Sequence, residues 1–202
     1  MRDLKRRRVL QILGATPALA SLAFTEAEAE QAAQATQAAR KTAAAAGTAY
    51  APKFFTASEY ATVKILADLI IPKDEHSGSA TEAGAHEFVD HIVSVQKERQ
   101  VAARGGLKWL DVESLRRFQQ TFAAATDAQR RQFLDDIAYP AKADKRFSQG
   151  VRFFSGMRDL VAAGFWSSKI GVKDIGYIGN MPNVWNGAPQ NVLDKLGVKY
   201  DA

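Results

Sequence analysis

Helix signals recur through the middle of this sequence, and they limit the folds that are open to it. Thr56 and Glu59 have the spacing of a capping box, in which two side chains satisfy backbone N–H groups at a helix start. Apolar residues follow at the three- and four-residue spacing of one buried helix face. Runs that alternate β-branched and polar residues, which are typical of strands, are scarce. The sequence therefore predicts an all-α fold, a small domain of about five helices.

Glycine, proline and polar loops mark where the predicted helices end. We expect the first helix to stop before Pro72 and the second to break at Gly105-Gly106. The fourth helix should end before Pro140, and Gly164 should close the fifth as its C-terminal glycine. The predicted spans are 56–71, 81–104, 107–125, 126–139 and 146–163.

The sequence changes character from Phe165 onward, where aromatic residues are separated by glycine and proline. Trp166, Tyr177 and Trp185 lie in this region. Such a composition does not build a regular element and suits an irregular C-terminal tail that lays flat side chains on another surface. That surface can belong to a partner protein or to the chain's own helical domain, and the residues leave both possibilities open.

Positive charge is concentrated at the N-terminus. The chain carries 27 Lys and Arg against 22 Asp and Glu, a net charge of +5. Residues 1–23 hold five basic side chains and one acidic one, a net charge of +4, so the rest of the chain carries 22 basic and 21 acidic side chains, or +1. Outside this segment the charge gives no reason to expect nucleic-acid binding. The apolar stretch that follows, 9–24, is too short and too weak for a transmembrane helix.

A basic region, a short apolar region and small residues together indicate an export signal. The basic residues resemble a twin-arginine signal, with Arg6 and Arg7 as the arginine pair and Val9-Leu10 as the apolar doublet. The alternative is a basic N-terminal helix that binds a membrane or nucleic acid.

These patterns divide the chain into three parts. Residues 1–25 form the twin-arginine signal, and residues 26–51 form an Ala-rich linker. We expect this linker to be a partly helical tether or a helix that lies on a partner. Residues 52–202 form the helical domain, which includes the aromatic tail from about residue 165.

The residues that could carry chemistry do not assemble a catalytic or metal site in the sequence. The chain has no cysteine, which excludes disulfides, thiolate nucleophiles and Cys-ligated zinc. His86 and His91 lie five residues apart, so on a helix they point about 140° apart and cannot share a metal as an i, i+4 pair does. We therefore expect no catalytic, cofactor-binding or metal-binding residue in this chain. A small hydrolase that uses His76, His86 or His91 is an alternative.

Two stretches resemble one known family in their order and spacing. The pattern is a helix ending in Leu-Ala-Asp-x-Ile-Ile-Pro, a Gly/Ala turn and a late Phe-Phe-x-x-x-Arg-Asp-Leu-x-x-x-Gly-Phe-x-x-Ser. With these residues the chain is similar to the gluconate 2-dehydrogenase subunit 3 family, the small subunits of membrane-bound FAD-dependent sugar and polyol dehydrogenases. The residues that carry the resemblance are 55–60, 66–72, 76–84, 88–90, 153–168, 170–171 and 186–187.

The resemblance implies a role as a non-catalytic accessory subunit. Small subunits of this kind are helical and carry a twin-arginine signal for the twin-arginine translocase. They bind a large FAD-containing oxidoreductase subunit that lacks its own signal, and they stabilise it and escort it through export. FAD and substrate belong to that partner, and a multihaem cytochrome c, carrying haem c, often forms a third subunit. The resemblance thus implies a periplasmic chain that is associated with the inner membrane through the complex.

The chain departs from several relatives at one position. Gly187 is followed by Ala188, where those relatives have a cysteine. A covalent link to a partner at this point is excluded, so we expect a non-covalent interface with aromatic anchors. The candidate anchors are Phe165, Trp166, Tyr177 and Trp185. A stand-alone periplasmic helical binding protein is the alternative to the subunit role.

Overall fold

The structure is a computed structural model that describes residues 25–179 and 187–199, and the regular secondary structure within these ranges is all helical, with no strand. The all-α prediction is therefore confirmed. The nine α-helices in these described ranges are α1 Glu26–Ala45, α2 Ala57–Ile70, α3 Ala80–Ala83, α4 Ala85–Val95, α5 Lys97–Phe118, α6 Asp127–Ala138, α7 Ser148–Trp166, α8 Lys169–Asp174 and α9 Gln190–Leu196. A short 3-10 helix, Lys145–Phe147, leads into α7. None of the helices in this described part of the chain is long and apolar enough to cross a membrane.

Capping boxes set the starts of α2 and α6, and the sequence predicts the box at α2. The backbone N–H of Glu59 donates to Oγ1 of Thr56 at 3.3 Å, and the N–H of Thr56 donates to the Glu59 carboxylate at 2.9 Å. Thr126 and Gln129 make the same reciprocal pair at the start of α6. Each box satisfies backbone donors that the first helical turn leaves unpaired.

Helices α4 and α7 form the centre of the domain, and the other helices pack around them. Phe88, Val89 and Val93 of α4 and Val161 of α7 are fully buried in their shared core. A Cβ atom on Gly164 would lie 2.9 Å from Cβ of Phe88, so glycine at this position lets the two helices approach closely. Because Gly164 serves packing and α7 continues to Trp166, the prediction that it ends the helix is wrong.

Where the sequence predicts one helix over 81–104, the structure has α3, α4 and the first part of α5. The predicted end at residue 104 is wrong, because α5 continues to Phe118. Gly84 adopts the left-handed conformation at φ 83° and separates α3 from α4. Gln96 separates α4 from α5. The helix α5 then passes through Gly105-Gly106 without a break, because packing against α7 outweighs the low helix propensity of glycine.

The Ala-rich segment 26–51 is helical over most of its length and lies on the chain's own domain. Its helix α1 packs mainly on α4 and also contacts α7. Ala32 and Thr36 are buried on the inner face, where small side chains allow close approach. Arg40 near the C-terminal end forms an ion pair with the buried Glu87, with 3.0 Å between Nε and Oε2. The helix α1 is thus tied to the core by packing and by charge.

One buried carboxylate holds the segment between α1 and α2. Asp90 of α4 is 0% exposed, and its two oxygens accept three backbone N–H groups, from Lys53 at 2.7 Å, Phe54 at 3.0 Å and Phe55 at 3.1 Å. The hydroxyl of Tyr50 donates to the same carboxylate at 3.0 Å. These bonds set the path of 50–55 and place Phe55 in the core.

Candidate functional site

A groove of about 770 Å³ lies between α5 and α7. Two glycine–aromatic contacts bring these helices together. A Cβ atom on Gly106 of α5 would lie 1.8 Å from the ring of Phe153 on α7, and one on Gly150 of α7 would lie 2.2 Å from the ring of Trp109 on α5. Each ring therefore rests directly on the backbone of the opposite helix. Because later residues of α5 meet earlier residues of α7, the two helices run antiparallel along the groove.

The floor of the groove is apolar and partly open. A Cβ atom on Gly105 or Gly156 would meet nothing within 4 Å, so both glycines leave space that larger side chains could occupy. Met157 and Leu160 are buried side chains that line the groove, and charged side chains such as Arg152 line it as well. A concave apolar surface with a few polar groups is typical of a site that binds an apolar ligand or segment.

The aromatic residues near the end of α7 divide into one core residue and several surface residues. Phe165 is 1% exposed and packs in the hydrophobic core, so its side chain does not contribute to the exposed surface where the predicted anchors were expected. Trp166 is 45% exposed, and Tyr177 is 60% exposed. Ile175 and Ile178 are exposed beside them in sequence. The segment 166–178 therefore presents several large apolar side chains to solvent, which is common at protein–protein contact sites.

Several predicted site residues lie outside the described residues. The predicted fourth anchor, Trp185, and the signal residues Arg6, Arg7, Val9 and Leu10 belong to this group. The structure gives no placement for them.

A buried polar cluster joins α1, α2 and α4. The ring of His86 lies 5.3 Å from the ring of Tyr60, and Nε2 of His86 lies 3.9 Å from the Glu87 carboxylate. Burial lowers the pKa of His86 to about 4, assisted by the charges of Lys64 and Arg40. Burial raises the pKa of Glu87, while Arg40 and Lys64 oppose this shift. At neutral pH His86 is therefore uncharged, and its role in the cluster is packing.

The histidines do not meet in one site. His86 packs against Tyr60, whereas the pKa of His91 is lowered by burial and then by the charge of Lys53. His76 lies in an exposed loop, where its backbone N–H donates to Asp74 at 2.8 Å. Within residues 25–179 and 187–199, no group of three or more His, Asp or Glu side chains could hold a metal ion.

No local pattern in the sequence marks Trp109 and Phe153 as groove residues. The available signal was the pair Gly105-Gly106 within otherwise helical sequence, together with Gly150 in α7. A glycine inside a helix often marks a close approach rather than a break. Only the pairing of α5 with α7 shows which ring covers which glycine.

The described residues define a class, an all-α domain with an apolar groove and an exposed aromatic surface. The family model for gluconate 2-dehydrogenase subunit 3 matches residues 57–187. The chain therefore belongs to the gluconate 2-dehydrogenase subunit 3 family, and the resemblance found in the sequence is confirmed. By its name, this family is one subunit of a dehydrogenase that has several subunits. No curated protein and no solved structure matches the chain.

Proposed function

We propose that this chain is the non-catalytic small subunit of a periplasmic FAD-dependent dehydrogenase complex that oxidises gluconate, another sugar or sugar acid, or a polyol. The family match over 57–187 is the observation that carries the proposal, because it covers the whole helical domain from α2 through α8. In this role the chain binds and stabilises the large flavoprotein subunit. FAD and substrate are held by that subunit, and haem c belongs to a third subunit where one is present.

The exposed residues of 166–178 are the contact surface that we assign to the flavoprotein. Trp166 and Tyr177 are large, rigid and solvent-exposed, and aromatic side chains of this kind dominate the energies of protein interfaces. Their contact is non-covalent, since the chain has no cysteine. This assignment keeps two of the predicted aromatic anchors and excludes Phe165, which the domain's own core uses.

Escort through the twin-arginine translocase is the second part of the proposal. It is supported by Arg6 and Arg7, followed by Val9-Leu10, in a segment that holds most of the chain's net positive charge. The chain would carry the export signal for a flavoprotein that lacks its own. The complex would then lie in the periplasm, at the inner membrane.

The test is co-expression of this chain with the proposed flavoprotein subunit, followed by an activity measurement and cell fractionation. We expect the flavoprotein to bind the chain in a pull-down and to reach the periplasm only when the chain is present. Arg6→Lys combined with Arg7→Lys should leave both proteins in the cytoplasm. Arg2→Lys combined with Arg8→Lys is the matched control, because it keeps the charge and the arginine pair, and it should not change export. A flavoprotein that reaches the periplasm in active form without this chain would contradict the escort role.

A stand-alone periplasmic binding protein is the second candidate, and the groove is the observation that favours it. Its volume of about 770 Å³ lies within the range of pockets that hold small ligands. This candidate predicts a purified chain that is monomeric and binds an apolar small molecule without any flavoprotein. Calorimetric titration of the full chain with and without the flavoprotein distinguishes the two candidates.

A further inference from the structure

The two ends of the groove between α5 and α7 differ in charge. Because the helices run antiparallel, the start of α5 lies beside the later part of α7. Glu98 and Arg99 of α5 and Asp159 of α7 therefore line one end, where acidic side chains outnumber the basic one. Arg152 lines the other end, and Gln149 lies about one turn before it on α7. Among the described groove residues, the Arg152 end thus carries a net positive charge.

This positive end has the donors that a carboxylate requires. A guanidinium such as that of Arg152 donates charge-assisted hydrogen bonds to carboxylates, and the amide of Gln149 adds a neutral donor. Both residues belong to the first turns of α7, which has 19 residues. The helix dipole places partial positive charge at this terminus and favours an anion there.

The middle of the groove offers room for an apolar chain. Gly105 and Gly156 leave space there, because a Cβ atom on either glycine would meet nothing within 4 Å. Met157 and Leu160 line the groove with buried apolar side chains. An apolar groove with one basic end is complementary to an apolar chain that carries one anionic group.

The length of the apolar stretch limits the length of that chain. From Arg152 to Ala163, α7 advances about 16.5 Å, at about 1.5 Å per residue. Carbon–carbon bonds of about 1.5 Å at angles near 111° advance an extended alkyl chain by about 1.25 Å per carbon. The stretch therefore matches about 13 carbons beyond a carboxylate.

We propose that this groove binds one free fatty acid of about 14 carbons, with its carboxylate at Gln149 and Arg152 and its alkyl chain over Gly105 and Gly156. Burial of the alkyl chain supplies most of the binding free energy, because each methylene removed from water contributes. The acidic side chains at the far end fix the direction of the ligand, since they repel its carboxylate.

This site goes beyond the subunit role and does not depend on it. The groove shares no lining residue with the exposed surface 166–178. A chain that binds the flavoprotein but no fatty acid would overturn this inference alone. A chain that binds fatty acid but no flavoprotein would overturn the subunit role alone. Flavoprotein binding, rather than fatty-acid binding, thus decides between the two candidate functions.

Calorimetric titration of the purified full chain with myristate tests the site. We expect saturable binding of one molecule per chain. Gly156→Phe adds a ring in the open part of the groove, so it should weaken binding at least about tenfold while the helical circular dichroism signal stays unchanged. Val101→Phe is the control, because Val101 is 84% exposed on α5 and lies outside the groove lining, and its affinity should be unchanged.

A second variant keeps the test independent of the folding of Gly156→Phe. If that variant does not fold, Gly105→Leu fills the same space from α5. A folded groove-filled variant that binds myristate as tightly as wild type would overturn the proposal.

A series from decanoate to stearate measures the length of the site. Each methylene added up to about 14 carbons should raise the affinity about two- to fourfold, and carbons beyond the groove's end should add little. An affinity that rises at the same rate through stearate would show that the chain lies outside the groove.

The position of the carboxylate is tested with laurate and the neutral 1-dodecanol. Arg152→Glu should weaken laurate binding at least about fivefold and leave 1-dodecanol binding unchanged, because the alcohol carries no charge. Arg158→Glu is the matched control, since it reverses a charge on the same helix outside the groove lining. Equal losses in the two variants, or an equal loss for the alcohol, would contradict a carboxylate at Arg152.

Sedimentation of the same samples detects a second copy of the chain as the occupant. We expect no dimer that depends on the groove. A dimeric wild type that binds no myristate and becomes monomeric in Gly156→Phe would assign the groove to a second copy. A monomeric, folded wild type that binds no myristate would also overturn the proposal.

Discussion

Asp90 is the residue on which the path of the chain into α2 depends most directly. Both of its carboxylate oxygens are used, one by the N–H groups of Phe54 and Phe55 and the other by Lys53 and Tyr50. A buried carboxylate is stable in a protein interior only when hydrogen bonds compensate its desolvation. Here four donors, three backbone N–H groups and the Tyr50 hydroxyl, provide this compensation.

Replacing Asp90 with Asn should therefore destabilise the domain. The amide has one acceptor oxygen, so one pair of donors loses its partner, and we expect a loss of about 2–4 kcal/mol in the free energy of unfolding. Asp74→Asn is the matched control, because a single oxygen of Asp74 accepts both N–H groups of its exposed loop. Urea denaturation of both variants checks the difference, and equal effects would contradict this account of Asp90.

His86 makes the stability of the domain dependent on pH. Its pKa is about 4 in the folded chain, against about 6.5 in an unfolded one. Between these two pH values His86 is protonated more often in the unfolded state than in the folded state. The stability that is present above about pH 6.5 is therefore lost as the pH falls towards 4. The raised pKa of Glu87 has the opposite effect on stability. As the pH falls, the Glu87 carboxylate is protonated in the folded state at a higher pH than in the unfolded state, so its protonation favours folding.

Comparison of wild type with His86→Asn isolates the histidine. When the pH is lowered from about 7 to about 5, the free energy of unfolding of wild type should fall by up to about 2 kcal/mol more than that of His86→Asn. The measurement is urea denaturation at both pH values, with Glu87 and His91 present in both proteins. The same pH-dependent loss in the two proteins would show that His86 is not the source.

At the scale of elements, α5 shows how two adjacent glycines can have opposite roles. Gly106 lies under the ring of Phe153, whereas a Cβ atom on Gly105 would meet nothing within 4 Å. Glycine in a helix interior costs about 0.5–1 kcal/mol relative to alanine. Gly106 is therefore required by packing, and Gly105 is a position at which the helix would gain from a side chain.

Alanine at the two positions should change stability in opposite directions. Gly105→Ala should raise the free energy of unfolding by about 0.5–1 kcal/mol through helix propensity. Gly106→Ala should lower it by about 1–3 kcal/mol, because its methyl group would collide with Phe153 and force α5 and α7 apart. Thermal denaturation of the pair checks this, and effects of the same sign would contradict the close approach.

At the scale of the whole molecule, partner binding should depend on the exposed aromatic surface. If the chain binds the flavoprotein through 166–178, the combination of Trp166→Ala and Tyr177→Ala should weaken that binding by about 10- to 100-fold. Tyr139→Ala is the control, because Tyr139 is 60% exposed like Tyr177 but lies at the end of α6. Affinity measured by titration should be unchanged in the control. An equal loss of affinity in the double variant and in Tyr139→Ala would contradict the assignment of the interface to 166–178.

Local sequence determined the helix class and several helix starts. The capping box at Thr56 is a four-residue pattern, Thr56 to Glu59, whose geometry is set by the backbone itself, so it could be predicted without any tertiary contact. The family pattern also followed from residues in order along the chain, and the match over 57–187 confirmed it. The export signal remains a prediction.

Tertiary structure decided what each glycine and each apolar residue does. Gly105-Gly106 and Gly164 look like helix breakers in sequence, but the helices continue because packing energy between α5 and α7, and between α4 and α7, exceeds the local cost. Phe165 and Trp166 are neighbours in sequence, yet one is buried and the other exposed because they face different sides of α7. The groove exists only once two distant helices meet, since long-range contacts are not encoded in any local pattern.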